Sequence, residues 1–120
     1  MHTIHEKDAK VYHLPGRDWY YLLGPLTCPA EKLVFGLAEF PADSQAGAHM
    51  HENEEEIIYI LSGRGQIVFA DGADDLEPGV ATFIPPGVEH RIAVVGDEPL
   101  RMVTLFSPPV TPGAYDRDQE

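Results

Sequence analysis

Short runs of β-branched and aromatic residues, each stopped by a turn built on Gly or Pro, constrain this chain more than any other feature. Val11–Leu14 is broken by Pro15-Gly16, Leu33–Phe40 ends at Pro41, and Val80–Ile84 closes on Pro85-Pro86-Gly87. Ile57–Leu61 stops at Ser62-Gly63-Arg64-Gly65, and Gln66–Ala70 reads as its return strand, with Asp71-Gly72 as the next hairpin signal. Trp19–Leu23 is aromatic and β-favouring, and Gly96-Asp97-Glu98-Pro99 turns the chain into a last strand, Leu100–Phe106. Runs this short and this closely spaced, with no convincing helix, predict an all-β sandwich or barrel. The unbroken apolar run Ile57–Leu61 predicts a strand buried on both faces. Gly36, in mid-strand, predicts a bend or a close approach of backbone.

Without an internal repeat or a linker, the 120 residues read as one domain over 1–120, with a barrel core at about 33–106. Twenty acidic residues against eight basic ones argue against nucleic acid and against anionic membrane surfaces, both of which select for positive charge. The single Cys28 suits a reducing compartment, and no apolar run reaches membrane-spanning length or resembles a leader segment. The expectation is a cytoplasmic protein. Tyr115–Glu120 is charged and expected to fray.

Chemistry concentrates in two stretches. In the first, His49 and His51 flank Met50 and are followed by Glu52, Glu54, Glu55 and Glu56. On an extended backbone residues i and i+2 share a face, so the two imidazoles project together while Met50 points away. Two imidazoles so placed can close on one metal ion, and a carboxylate from the next strand can join them. In the second, Glu89–Val95 alternates so that His90 shares a face with Ile92 and Val94. The remaining histidines, His2, His5 and His13, have nothing nearby to fix their geometry and read as solvated or dimer-contact groups.

With these residues in view, the chain resembles the cupin superfamily, in its small single-domain form. The first cupin motif, G-x5-HxH-x3,4-E-x6-G, is met by His49, His51, Glu56 and Gly63; Asp43 stands where the leading glycine would be. The second, G-x5-PxG-x2-H-x3-N, is met by Gly79, Pro85, Gly87 and His90, with Val94 in place of the asparagine. The resemblance implies a double-stranded β-helix, the jelly-roll barrel. It also implies that His49, His51, Glu56 and His90 are metal ligands, and that the chain forms a homodimer. Glu55 also satisfies the motif's shorter spacing. The six residues to Gly63, and the parity shared with Ile58 and Ile60, favour Glu56.

Three imidazoles and one carboxylate, without thiolate, suit one divalent transition metal ion: Mn, Fe, Ni, Co, Cu or Zn. On an octahedral ion this set leaves two positions open, which water or a bidentate ligand can fill. Small cupins with such sites work as isomerases, lyases, decarboxylases, dioxygenases and sugar-binding modules. The resemblance therefore implies a metal-dependent enzyme acting on a small oxygenated metabolite such as a sugar or a keto or hydroxy acid. A non-catalytic module that binds or senses a small molecule is the competing class, and a metal-free barrel with relic histidines is the third. Tyr59, Gln66, Met102 and Phe106 are candidates for the cavity wall, with core packing as the alternative for each. Neutral imidazole is the form that binds metal, so affinity is expected to fall as pH drops through about 6.5.

Overall fold

A computed structural model describes residues 2–113, so Met1 and the Tyr115–Glu120 segment lie outside the described residues. A 3₁₀ turn, Glu6–Asp8, leads into nine strands: β1 (Lys10–Leu14), β2 (Arg17–Leu23), β3 (Val34–Phe40), β4 (Glu55–Ser62), β5 (Arg64–Phe69), β6 (Gly72–Leu76), β7 (Ala81–Ile84), β8 (His90–Val95) and β9 (Leu100–Ser107). They form a six-stranded sheet in the order β1-β2-β3-β9-β4-β7 and a three-stranded sheet in the order β6-β5-β8. All the strand pairings are antiparallel. The two sheets enclose one apolar interior, which is the expected all-β jelly-roll barrel. Among the described residues no helix is long and apolar enough to cross a membrane.

Alternation decides which residues reach the interior. On β9, Leu100, Met102, Thr104 and Phe106 are buried while their neighbours are less so. On β4, Glu56, Ile58 and Ile60 point inward and Ile57, Tyr59 and Leu61 are exposed. The sequence predicts burial on both faces of this strand, and the structure corrects it. The six-stranded antiparallel sheet keeps one face on the core and leaves the other open. The outward residues pair across strands instead, Ile57 lying opposite Phe83 on β7 and Leu105 on β9. The chain changes sheets at Gly63, between β4 and β5.

The N-terminal strands are part of the barrel wall. β1 and β2 form a hairpin with Leu14 opposite Arg17, and β2 pairs with β3. Along β2, Trp19 and Tyr21 turn into the core. The Trp19 Nε1–H donates to Thr104 Oγ1 at 2.9 Å, which satisfies the one polar group of each side chain in a buried setting. Gly36 makes this possible. A Cβ at that position would sit 2.6 Å from the indole nitrogen and 2.6 Å from the Tyr20 carbonyl oxygen. The close approach predicted for Gly36 is therefore the space taken by the Trp19 ring. Ile60, Ile67, Leu76 and Leu100 are fully buried and fill the interior away from the site described next.

Candidate metal centre

Residues 41–54 carry no regular strand, so the histidine pair is delivered by a loop and not by the strand that its spacing suggests. What keeps the pair extended is a short ladder against the start of β8. His49 and His90 exchange both backbone hydrogen bonds, each at 2.9 Å, and Gly87 N–H donates to the His51 carbonyl at 2.7 Å. This local ladder reproduces the two-residue periodicity of a strand. Met50 is exposed, while the rings of His49 and His51 lie 5.5 Å apart at a tilt of 32°. His90, the first residue of β8, brings its ring to 4.7 Å from that of His49 and 4.8 Å from that of His51.

The three histidines each offer a ring nitrogen, and these atoms all lie within 4.8 Å of one another. Glu56, the second residue of β4, points its carboxylate at the same place. Its Oε1 lies 3.4 Å from His51 Nε2 and 4.0 Å from His90 Nε2. Glu55 is exposed on the outer face, so the structure separates the two candidate carboxylates by strand parity. His51, Glu56 and His90 are buried to 1%, 6% and 2% exposure, and His49 is half-buried. Nitrogens bound to one ion at 2.0–2.1 Å lie about 3–4 Å apart, so closing this set takes a movement of about 1 Å. The donor set thus fits a divalent transition metal in both chemistry and placement.

Electrostatics agree with that fit. Burial, with the neighbouring His90, His49 and Arg17 charges, pushes the His51 pKa down to about 3. Burial also lowers the pKa of His90. Both imidazoles are therefore neutral at physiological pH, the form a metal requires. Burial pushes the Glu56 carboxyl up to about 8, with Arg17 opposing the shift. His90 Nδ1 lies 3.1 Å from the Val88 carbonyl oxygen; a carbonyl only accepts, so Nδ1 carries the proton and Nε2 keeps its lone pair for the site. The His51 ring packs edge-on against Phe106, with centroids 5.2 Å apart, which restrains its orientation.

The site opens on a cavity of about 60 Å³, small beside pockets for drug-sized ligands, which run to several hundred Å³. Met102 and Phe106 line this cavity; Tyr59 lies on the outer surface, and Gln66 donates to Asp75 Oδ1 at 3.0 Å on the other sheet. Val94, in place of the family asparagine, packs against the core. His5 accepts from the Lys7 N–H at 3.1 Å, His13 sits 2.7 Å from Asp18 Oδ1 at the surface, and His2 is exposed, so none of the three belongs to the site.

Arg17, Trp19, Thr104 and Thr111 bring polar groups to this lining and belong to neither motif. Arg17 shares the inward parity of Trp19 and Tyr21 on β2. The turn before it is clamped to the loop that carries His49. Ser44 Oγ donates to the Gly16 carbonyl at 2.6 Å, and a Cβ at Gly16, whose φ is +76°, would sit 2.5 Å from Ala46 N. Only glycine fits a turn that is both left-handed and pressed against another backbone. The alternation Arg17-Asp18-Trp19-Tyr20-Tyr21, read after Pro15-Gly16, is the signal in the sequence that leads to Arg17.

Comparison with known proteins agrees with this construction. Residues 36–106 match the family described as "Cupin domain". An uncharacterized protein of Methanocaldococcus jannaschii is 33% identical over 73% of this chain and 70% of its own length. The polyketide synthase CurC of Streptomyces cyaneus is 33% identical over 88% of this chain and 69% of its own. An oxalate-binding protein of Thermotoga maritima is 35% identical over 61% of this chain and 60% of its own. Among solved structures, ectoine synthase from P. lautus superposes with a TM-score of 0.79 at 21% identity, covering all of this chain and 86% of that one. The polyketide cyclase RemF from Streptomyces resistomycificus gives 0.77 at 24% identity, with 100% and 94% covered. By motif, fold and relatives alike, this chain belongs to the cupin family.

Proposed function

We propose that this cupin is a metal-dependent enzyme acting on a small oxygenated metabolite, with His49, His51, His90 and Glu56 holding one divalent transition metal ion. The observation that carries the reading is the convergence of three histidine nitrogens within 4.8 Å, beside a buried carboxylate, at the wall of a small cavity. When bound, such an ion polarises a coordinated oxygen and stabilises negative charge developing next to it. The chain's own residues supply the rest. The apolar wall of Phe40, Ile84, Ile92, Met102 and Phe106 gives the site a lining of low polarity, which strengthens electrostatic interactions beside it. The Thr104 hydroxyl is oriented by its bond from Trp19. Glu56 holds a proton in the metal-free site and surrenders it when a cation arrives. Isomerase, lyase, decarboxylase and dioxygenase chemistry all use a site of this kind.

A second reading is a non-catalytic module that binds a small molecule. It is favoured by the likeness to the oxalate-binding protein of Thermotoga maritima. The two readings separate by experiment. Loading the chain with Mn, Fe, Ni or Zn in turn and offering sugars, hydroxy acids, keto acids and dicarbonyls should give turnover with at least one metal and one substrate. Stoichiometric binding without chemical change in the ligand selects the binding module instead.

The pH dependence of metal binding follows from Glu56. Because its carboxyl is raised to about 8, a proton must leave as the metal enters at neutral pH. Histidine protons, which from composition alone would set the limit at about 6.5, are displaced to lower pH by burial of His51 and His90. Apparent metal affinity should therefore rise about tenfold per pH unit between about 6 and 8, then level off. Competition titrations with a chelator across this range measure the slope. Glu56→Gln should bind more weakly and with little slope; a wild-type affinity flat from pH 6 to 8 contradicts the role given to Glu56.

We also propose that a second copy covers the outer face of β4 and β7. There Ile57, Tyr59 and Phe83 stand 45%, 44% and 53% exposed on adjoining strands, an apolar patch of the kind that marks an interface. The single free Cys28 suits placement of this dimer in the cytoplasm. Light scattering should give twice the chain mass, and Tyr59→Lys with Phe83→Lys should give the chain mass; a monomeric wild type refutes the dimer.

A further inference from the structure

Between Met102 and Phe106 on β9, the inward position is held by a polar residue, Thr104. It is 4% exposed and lines the same cavity as His49, Glu56 and His90. Its neighbours across the sheet are Gly36 on β3 and Ile58 on β4, and neither offers a polar side chain. The Trp19 indole occupies the space over Gly36, and its Nε1–H donates to Thr104 Oγ1 at 2.9 Å. An indole nitrogen only donates, so Thr104 is the acceptor in this bond and its own O–H remains a donor. Among the described residues no group accepts from that O–H. A pair kept for packing alone has a less costly form, since Phe and Val in these two places leave no buried donor over.

From this bond we infer that Thr104 is a specificity residue: its hydroxyl donates to a carbonyl or ether oxygen of the bound metabolite, a few bonds away from the group that faces the histidines. The inference rests on the proposed function and adds a point of recognition apart from the metal ligands. Glu56 lies opposite Phe106 and Ile58 opposite Thr104, so Thr104 and Glu56 are diagonal neighbours on the inner face. Such neighbours stand about 7 Å apart, a span that one small molecule covers. A threonine hydroxyl without a fixed partner rotates and serves as donor or acceptor; here the indole makes it a donor. A ligand that brings a methylene or an ammonium group to this point leaves the donor unpaired, and a mismatch of that kind gives a site selectivity. A hydroxyl that donates also becomes a better acceptor, so the Trp19 bond strengthens when the ligand arrives. Trp19 is the single tryptophan of the chain, which makes its indole N–H a specific reporter of that event.

The test compares two zinc-binding thiols of equal length, 2-methoxyethanethiol and 1-butanethiol, which differ by an ether oxygen in place of a methylene. Each is titrated by calorimetry into the zinc-loaded full chain. Thr104→Val should shift the ratio of the two affinities roughly 2- to 10-fold toward butanethiol, as expected for one neutral hydrogen bond, and Thr104→Ser should keep the wild-type ratio. In the wild type the methoxy thiol, and not butanethiol, should move the indole N–H proton resonance downfield. Thr104→Val also deprives the indole of its acceptor. Should that variant not fold, Trp19→Phe with Thr104→Val removes both polar partners together and should show the same shift in ratio. An affinity ratio equal in wild type and the valine variants overturns the inference and makes the pair purely structural, as does failure of the methoxy thiol to bind. If the wild type takes up no zinc, the metal reading fails by itself, and acetone titrated into the metal-free chain decides. A downfield movement of the indole resonance in wild type and Thr104→Ser then supports the acceptor site, and an unmoved resonance overturns it.

Discussion

Everything in this barrel is arranged around one carboxylate buried in its interior. Glu56 is buried beside the imidazoles of His51 and His90, where an ionised carboxylate is costly unless a cation stands next to it. The metal-free chain keeps the group protonated, which lowers the cost but leaves a polar cluster inside an apolar core. Such clusters are retained where they do chemistry, because a core of similar volume made of aliphatic residues is the more stable alternative. Under the proposed function, a divalent cation held there would turn the same four side chains from a burden on stability into a source of it.

The fold supplies what that cluster needs, from four separate places in the chain. β4 carries Glu56 inward by parity, β8 begins on His90, and the two-point ladder between His49 and His90 holds a loop in a strand-like conformation. The N-terminal hairpin then completes the wall. Its Trp19 ring occupies the space left open by Gly36 and bonds Thr104, and its Arg17 is brought to the cavity by a glycine turn fixed on residues 44–46. Packing of Phe106 against both Trp19 and His51 connects this hairpin to the histidine cluster through direct ring contacts.

Much of this was legible in the sequence because the barrel's strands follow a period of two. The spacing from His51 to Glu56 to Gly63, and the parity shared by Glu56, Ile58 and Ile60, separate Glu56 from Glu55 without any coordinates. The same rule failed for Ile57–Leu61. β-Branched and aromatic residues serve equally in a buried strand and in cross-strand pairs on an open face, so hydrophobicity alone does not tell one from the other. Tyr59 was misplaced as a cavity candidate for that reason. Arg17 was missed because an arginine in a hairpin reads as a solvated charge until the neighbouring Ser44–Ala46 loop is known, and that contact spans 28 residues.

The convergence of His49, His51, His90 and Glu56 on one cation is tested most directly by an anomalous difference map from crystals of the chain purified without added metal and then supplied with one equivalent of zinc, collected at the zinc edge. One strong peak enclosed by those four side chains, and by no others, is the predicted result. A peak at the acidic surface, or an empty cluster with Glu56 turned away from the histidines, contradicts it.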